Sequence, residues 1–201
     1  MKTDSTINYY DENAKQYFEK TISADMSAIC NRFIEKLRPG GVVIDIGAGS
    51  GRDILYFKKH GFAVEGIDAS KEMCRLATIY TGTPVECIKI QEWAPRHKYD
   101  GVWASASLVH LKETEIKAFL LKLPNILTDD GCAYISFKTG IVTGNDDDGR
   151  YFTNVTEEWI RDVIHNGEQL CLDDMWISED ILTRDCIRWI NAILKRKHKV
   201  E

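Results

Sequence analysis

Three glycines spaced two apart, Gly47, Gly49 and Gly51, follow an acid in the run Asp45-Ile46-Gly47-Ala48-Gly49-Ser50-Gly51. A second acid, Asp68, comes seventeen residues after the last of them. Glycine has no Cβ, so the backbone at such a run can bend tightly and come close to a ligand. A carboxylate placed like Asp68 can accept both hydroxyls of a ribose, which points to a ligand built on adenosine or something similar. Dinucleotide-binding turns space their glycines G-x-G-x-x-G, whereas here the third glycine is displaced by one. Asp45 would also sit badly beside a pyrophosphate, while a cationic amino-acid sulfonium ligand tolerates it. A nicotinamide-dependent dehydrogenase is disfavoured on these grounds and by the lack of a tyrosine-lysine pair at hydride-transfer spacing.

Other residues could act on a second ligand. His110 follows a predicted strand, where a base could face a reacting group; the blander reading, preferred, is a histidine that supports the loop or a helix cap. Tyr9, Tyr10 and Tyr17 lie in a helical preamble that can fold over the glycine turn. An aromatic face there would stabilise a cation by ~0.5–2 kcal/mol, and ordinary packing is the competing reading for each. Lys138 and Arg150 flank a long loop and could meet an anion or a carboxylate, against solvated charge as the plainer alternative. Arg188 reads as a sheet-edge charge. The run Asn145-Asp146-Asp147-Asp148-Gly149 fails as a calcium loop, because the twelfth position would be Val155 where a bidentate Glu is required.

The elements that must position these residues follow from hydrophobic periodicity. The preamble is predicted helical from about Asp11 to Leu37, with Ile29, Phe33 and Leu37 on one face; Arg38-Pro39-Gly40-Gly41 stops it. Val42 to Ile46 is a short, β-branched run, as for a buried central strand. After the glycine turn come a helix to about His60, a strand over Phe62–Ile67 and a helix capped by Ser70 that carries Met73, Leu76, Ala77 and Tyr80. Strands over Val85–Ile90, Tyr99–Ser105 and Gly131–Lys138 follow, with a helix bearing Ile116, Phe119, Leu120 and Leu123 before the last. Thr139 to Phe152 is a loop long enough to suggest a functional role. Thr156 caps a final helix. Two strands, about Gln169–Ile177 and Cys186–Leu194, sit too close for a helical crossover and are predicted antiparallel. The class is α/β, a Rossmann-like doubly wound sheet. A single domain is expected over 1–201: a cap at 1–38, a ligand-binding core at 42–138, and a loop, helix and closing strand pair at 139–201.

Bulk properties bound the function classes. A chain of 201 residues with 44% hydrophobic and 28% charged residues is ordinary for one globular core. No apolar run approaches the ~20 residues that span a bilayer, and the polar segment Met1–Tyr10 does not read as a signal or transit peptide. A cytoplasmic location is the expectation. The six cysteines include no Cys-x-x-Cys pair, so no metal site is expected and they read as reduced, mostly buried small hydrophobes. A formal charge of −5 with basic residues massed only at Lys195–Lys199 makes nucleic acid an unlikely partner; that tuft reads as a frayed end.

Taken together, Val43-Ile44-Asp45-Ile46-Gly47-Ala48-Gly49-Ser50-Gly51-Arg52-Asp53 resembles the first motif of class I S-adenosylmethionine-dependent methyltransferases. Gly66-Ile67-Asp68-Ala69-Ser70-Lys71-Glu72-Met73 is similar to their second-strand acidic motif. Asp100 to Leu111 and Asp130 to Phe137 resemble their fourth and fifth strands. The likeness is firm over Val42–Lys138 and looser over the preamble tyrosines, Gly149–Thr153 and Trp189-Ile190-Asn191. In detail it looks most like small bacterial stand-alone enzymes of the tellurite-resistance-like type.

The resemblance implies seven strands in the order 3-2-1-4-5-7-6, strand 7 antiparallel. It implies S-adenosylmethionine as methyl donor, with S-adenosylhomocysteine as product. Gly47, Gly49 and Gly51, with Asp45, Ala48 and Arg52 around them, would cradle the methionine part. Asp68 would hold the ribose, Ala69 and Met73 would line the adenine, and Gln91 or Glu92 would meet its amino group with Trp93 alongside. The Ser105 backbone would lie near the methionine amine, and Tyr17 would cover the cofactor. Tyr10, His110, Lys138 and Arg150 are the candidates on the acceptor side, with no catalytic residue assigned among them. The expected function is direct in-line methyl transfer to a small molecule. A nucleic-acid or protein methyltransferase and a non-catalytic cofactor-binding regulatory module are the alternatives; no Asn-Pro-Pro-Tyr-type motif follows the fourth strand, where Ser105-Ala106-Ser107-Leu108 stands.

Overall fold

The computed structural model describes residues 2–167, 169–182, 184 and 187–197. The chain opens with three helices, α1 (Lys2–Glu12), α2 (Ala14–Thr21) and α3 (Ser27–Ile34). A regular alternation follows: β1 (Val42–Ile46), α4 (Arg52–Lys59), β2 (Ala63–Asp68), α5 (Lys71–Thr81), β3 (Val85–Cys87) and β4 (Tyr99–Ala104). A 3-10 turn (Leu108–His110), α6 (Glu113–Ile126) and β5 (Leu127–Lys138) complete the first pass. Then come a short hairpin of β6 (Gly144–Asn145) and β7 (Tyr151–Phe152), α7 (Glu157–Asn166), β8 (Leu170–Glu179) and β9 (Arg188–Arg196).

Seven of the strands form one sheet in the order β3-β2-β1-β4-β5-β9-β8. The first five are parallel, while β9 runs antiparallel to both β5 and β8. With β8 and β9 as sixth and seventh strands, this is the order that the resemblance implied. The strand order reverses between β1 and β4, which opens a crevice beyond their carboxyl ends. The glycine turn leaves β1 at that crevice.

Side-chain alternation along the strands feeds two cores. Ile44, Val102, Ala104, Ala133, Ile135 and Phe137 pack under α6 and α7. Val43, Trp103, Cys132, Tyr134 and Ile193 pack under α3 and α4. Trp103 and Tyr134 stack with ring centroids 4.0 Å apart, and Phe33 of α3 lies against them. That packing needs Gly101, because a Cβ there would come 2.9 Å from the Phe33 ring. Both predicted side-chain caps are present: Ser70 Oγ accepts from Met73 N and Thr156 Oγ1 from Trp159 N, each at 3.1 Å.

The structure corrects several expectations. The preamble begins earlier than Asp11 and is three helices rather than one, broken at Asn13 and over 22–26; Asp25 Oδ1 accepts from Ser27 N and restarts the chain as α3. Short polar side chains that bind nearby backbone compete with a continuing helix. The third strand stops at Cys87 instead of Ile90, and the fifth starts at Leu127, beyond a register shift opposite Tyr99 and Gly101. The long loop carries its own hairpin, tied to α1 where Tyr151 N donates to Thr6 Oγ1 at 2.8 Å. Arg188 is not on an edge strand: β9 is interior, and Arg188 is exposed only because it starts that strand. Nor is the basic tuft frayed throughout. Lys195 and Arg196 lie in β9, paired with Asp173 and Asp129; residues 198–201 lie outside the described residues. Cys30, Cys74 and Cys132 are buried and free, whereas Cys87 is exposed and Cys171 half-buried; Cys186 lies outside the described residues.

Candidate functional site

The glycine turn is held by its own backbone before any ligand is considered. Gly47 N and Ala48 N both donate to Ile67 O, at 2.8 and 3.0 Å, which ties the end of β1 to the end of β2. Gly47, Gly49 and Gly51 take φ of +75°, +52° and +78°, the left-handed region that side chains with a Cβ disfavour. Gly51 also lies against Ala77 and Thr81 of α5, so the turn and that helix approach more closely than an alanine would permit.

Asp68 closes the turn from the other side. Its carboxylate accepts from Gly49 N at 2.8 Å and from Ser70 N at 2.9 Å. Burial raises its pKa, against the pull of those two N–H donors. Ser70 Oγ in turn donates to Asp11 Oδ1 at 2.6 Å, so α1 is fastened to the start of α5 beside the same site.

Two hollows meet at this turn. One lies between Asp68, Ala69, Met73, Ile88, Ile90, Gln91 and Leu111. The other runs past Asp45, Ala48, Arg52 and Tyr134 to Lys138, Arg150 and Trp189. Tyr10, Tyr17, Gly47, Gly49, Ser105, Ala106 and His110 line both. The two hollows are one cleft with a waist.

Of the residues picked out in the sequence, Gly47, Gly49, Asp68, Ala69, Met73, Gln91, Ser105 and Tyr17 line the first hollow, and Asp45, Ala48, Arg52, Lys138 and Arg150 line the second. Gly51 supports the turn from behind. Glu92 and Trp93 do not line the cleft. Because β3 ends early, the chain turns at Lys89, whose carbonyl accepts from both Glu92 N and Trp93 N. That turn leaves Gln91 at the cleft and Glu92 exposed. Trp93 instead packs on the core with its ring 6.0 Å from Tyr99.

Charges in the second hollow are mostly paired. Arg52 grips Asp53 through Nε at 2.6 Å and Nη2 at 2.9 Å, and Asp53 Oδ2 also accepts from Trp103 Nε1 at 2.9 Å. Asp45 is 2% exposed. Burial first, and then the charge of Asp53, hold its carboxyl well above the usual range. Arg150 is clamped on Asp146, and its guanidinium stands 4.7 Å from the Tyr9 ring centroid. Arg184 is clamped on Asp180, which also accepts from Trp189 Nε1. Burial opposes the Asp180 charge, but those donors bring its pKa down to about 2.

At the waist, Tyr10 Oη lies 2.9 Å from His110 Nε2, and His110 Nδ1 lies 2.7 Å from the Tyr151 carbonyl. Tyr10 stands edge-on to Tyr17 with centroids 5.0 Å apart. Ala106 takes φ of +53°, the single non-glycine positive value in the chain's described residues, and its N–H donates to Ser136 Oγ at 2.8 Å. Backbone held in that region is characteristic of ligand clamps.

Sequence reasoning missed Ser107, Ile88, Ile90 and Leu111 in the first hollow, and Asp53, Tyr134, Asp180, Arg184 and Asn191 in the second. Trp189 and Asn191 belong to the stretch of looser resemblance. Asp53, Ser107, Leu111 and Tyr134 stand inside the stretches that resemble the family but were given no role there. Ile88, Ile90, Asp180 and Arg184 carry no motif and reach the cleft through the turn after β3 and the segment after β8. Among the described residues no group of three or more His, Cys, Asp or Glu could hold a metal, and no helix is long and apolar enough to cross a membrane.

Ser107 supplies a test of whether a ligand belongs here. Its Oγ is buried and is the one buried side-chain polar atom left without a hydrogen-bond partner among the described residues. It lies over Gly47, where a Cβ would come 2.4 Å from the Ser107 Cβ. Buried hydroxyls are normally paired. An orphan hydroxyl beside an open glycine turn, a carboxylate ready for a diol and an apolar slot beyond it fit an adenosyl ligand.

Comparison with known proteins agrees. Residues 17–165 match the family model of the methyltransferase domain. An uncharacterised methyltransferase of Staphylococcus carnosus is 23% identical over 96% of this chain and 93% of its own length. The solved 1,6-didemethyltoxoflavin N1-methyltransferase of Burkholderia thailandensis, with its substrate and S-adenosylhomocysteine bound, has a TM-score of 0.76 at 18% identity, over 98% of this chain and 87% of that one. A TehB-like S-adenosylmethionine-dependent methyltransferase from Corynebacterium glutamicum has a TM-score of 0.69 at 18% identity, over 94% and 98%. The chain belongs to the methyltransferase-domain family. Its fold is the one these S-adenosylmethionine-dependent methyltransferase structures share.

Proposed function

We propose that the first hollow holds the adenosine of S-adenosylmethionine, that the waist holds its methionine part, and that the second hollow seats a small-molecule methyl acceptor. The carrying observation is the continuity of the two hollows through Tyr10, Tyr17, Gly47, Gly49 and Ser105. Asp68, fixed by two backbone N–H groups, offers its remaining lone pairs to the ribose. Ala69, Met73, Ile88 and Ile90 form the apolar slot for adenine, with Gln91 rather than Glu92 at its edge. Asp45, whose charge is disfavoured by burial, gains from a cation nearby, and the Tyr17 face offers cation–π attraction to the same charge.

When bound, the cofactor supplies an activated methyl group, so the protein mainly positions the acceptor and excludes water. Tyr10 has a specific part. The Tyr151 carbonyl can only accept, so Nδ1 of His110 carries the proton and Nε2 accepts from the Tyr10 hydroxyl. The Tyr10 oxygen therefore turns its lone pairs to the cleft, where the Arg150 side chain is one donor beside it and a donor on the methyl acceptor can be another. His110 acts as a positioning residue; burial first, with Arg150 adding to it, drives its pKa down to about 4, which suits a fixed neutral ring better than a proton sink. The net charge of −5 supports a partner other than nucleic acid, and the free described cysteines suit a reducing compartment such as the cytoplasm.

Isothermal titration with S-adenosylmethionine, S-adenosylhomocysteine and NAD tests the reading. Binding of the two adenosyl ligands and not of NAD, lost in Asp68→Ala, is the expected result and justifies an acceptor screen. Absence of binding by both adenosyl ligands would refute it.

A further inference from the structure

Four cations line the second hollow, and three have a dedicated carboxylate. Arg52 is held by Asp53, Arg150 by Asp146 and Arg184 by Asp180, at 2.6 to 2.7 Å. The fourth is Lys138, at the end of β5. Among the described residues no carboxylate lies within ion-pair distance of its Nζ, which has only the Phe152 ring for company, 5.5 Å from the centroid. Of the acids on the same wall, Asp53 and Asp180 are already bound, Asp45 lies at the glycine turn, and Glu179 is exposed.

We propose that Lys138 is the anchor for a carboxylate on the methyl acceptor, and that the acceptor is a small planar aromatic acid. This rests on the assignment of the second hollow to the acceptor. A partly buried ammonium without a counter-ion is costly, and an incoming carboxylate removes that cost with a charge-assisted hydrogen bond. The charges facing Lys138 do not provide such a partner. Burial first, and then repulsion by Arg184 and Arg150, lower its pKa, while Asp146 and Asp180 attract it more weakly from their own ion pairs. The shape of the acceptor follows from the walls. Tyr10, Tyr134, Phe152 and Trp189 all line the hollow, and an aromatic lining favours a flat, apolar body. Asn191, by contrast, is committed to the protein: its Oδ1 accepts from Tyr134 and its Nδ2 donates to Ser178 Oγ and two backbone carbonyls. It is not free to select a polar substituent.

The test uses benzoate and its neutral isostere benzamide, titrated into the protein with and without saturating S-adenosylhomocysteine. The wild type is compared with Lys138→Gln and Lys138→Arg, each checked for an unchanged melting temperature. Benzoate is expected to bind about ten- to a hundredfold more tightly than benzamide, as for a charge-assisted contact. The preference should vanish in Lys138→Gln and persist in Lys138→Arg. Equal affinity for the two probes, an unchanged preference in Lys138→Gln, or no binding of benzoate to the loaded protein overturns the proposal. Titration of S-adenosylhomocysteine alone reads the parent assignment separately. If that ligand fails while a Lys138-dependent benzoate preference survives in the unloaded protein, the anion site stands and the cofactor assignment falls.

Discussion

Tyr10 and His110, a hundred residues apart in the chain, meet at 2.9 Å between Oη and Nε2 at the waist of the cleft. The direction of that bond is set from outside the pair by the Tyr151 carbonyl, 2.7 Å from Nδ1. A hydroxyl with a fixed proton has fixed lone pairs, and so the hairpin after β5 decides what Tyr10 presents to the cleft. Nitrogen-15 spectra of histidine-labelled protein should show His110 as the Nδ1–H tautomer, neutral down to about pH 4. An imidazolium signal at pH 6 would refute this arrangement.

The same group makes stability depend on pH. The folded pKa of His110, about 4, is depressed below the unfolded value of ~6.5, so the unfolded chain binds its proton first. Its contribution is complete above about pH 6.5 and is lost as pH falls toward 4. Urea unfolding from pH 7 to 4 should show a decline equivalent to up to one proton, and the decline should be shallower in His110→Asn.

Tyr17 stands over Gly49, its ring 3.8 Å from where a Cβ would be. If its face meets a sulfonium, it favours S-adenosylmethionine over the uncharged S-adenosylhomocysteine. Tyr17→Leu should weaken the former relative to the latter by roughly two- to thirtyfold, matching ~0.5–2 kcal/mol, while Tyr17→Phe should keep the ratio. An equal loss for both ligands in Tyr17→Leu would leave only packing.

Gly47 and Gly40 share nearly the same φ, +75° and +72°, but differ in what lies beside them. A Cβ at Gly40 meets nothing within 4 Å, and one at Gly47 meets the Ser107 Cβ at 2.4 Å. Gly40→Ala should cost about 1 kcal/mol of backbone strain. Gly47→Ala should cost about 2–4 kcal/mol, the same strain plus overpacking, and should abolish adenosyl-ligand binding. Thermal melts and titration of the two variants together check both parts.

Asp53 is 5% exposed and serves two donors, the half-buried Arg52 and the buried Trp103 Nε1. Asp53→Ala leaves a half-buried guanidinium and an indole N–H unpaired, and should cost about 3 kcal/mol or more in urea unfolding. Trp103→Phe keeps the ion pair and should cost less than Asp53→Ala.

Much of the fold was legible because its signals are local. Val42–Ile46 reads as a buried strand from its β-branched run, and Ser70 and Thr156 read as caps from position alone. Boundaries set by partners were not legible. Nothing in Ile88-Lys89-Ile90 says that the ladder ends at Cys87, since those apolar residues would serve equally as strand or as cleft wall. Choosing between Gln91 and Glu92 depended on that turn.

By itself the sequence determined the strand-turn-helix frame, the glycine turn and its acid Asp68, because steric freedom at glycine and hydrophobic period act over a few residues. It also carried enough motif to indicate the cofactor. Only the tertiary structure decided how charges and rings share the second hollow. Arg150 and Lys138 look alike as isolated cations in the chain. Folding clamps Arg150 on Asp146 and leaves Lys138 facing the hollow without a carboxylate, and it brings Tyr10 to His110 across the sheet. The Arg150–Asp146 pair spans only four residues. But the meeting of Tyr10 with His110 and the place of Lys138 among the other charges of the hollow depend on contacts between residues remote in sequence, and no local pattern encodes those distances.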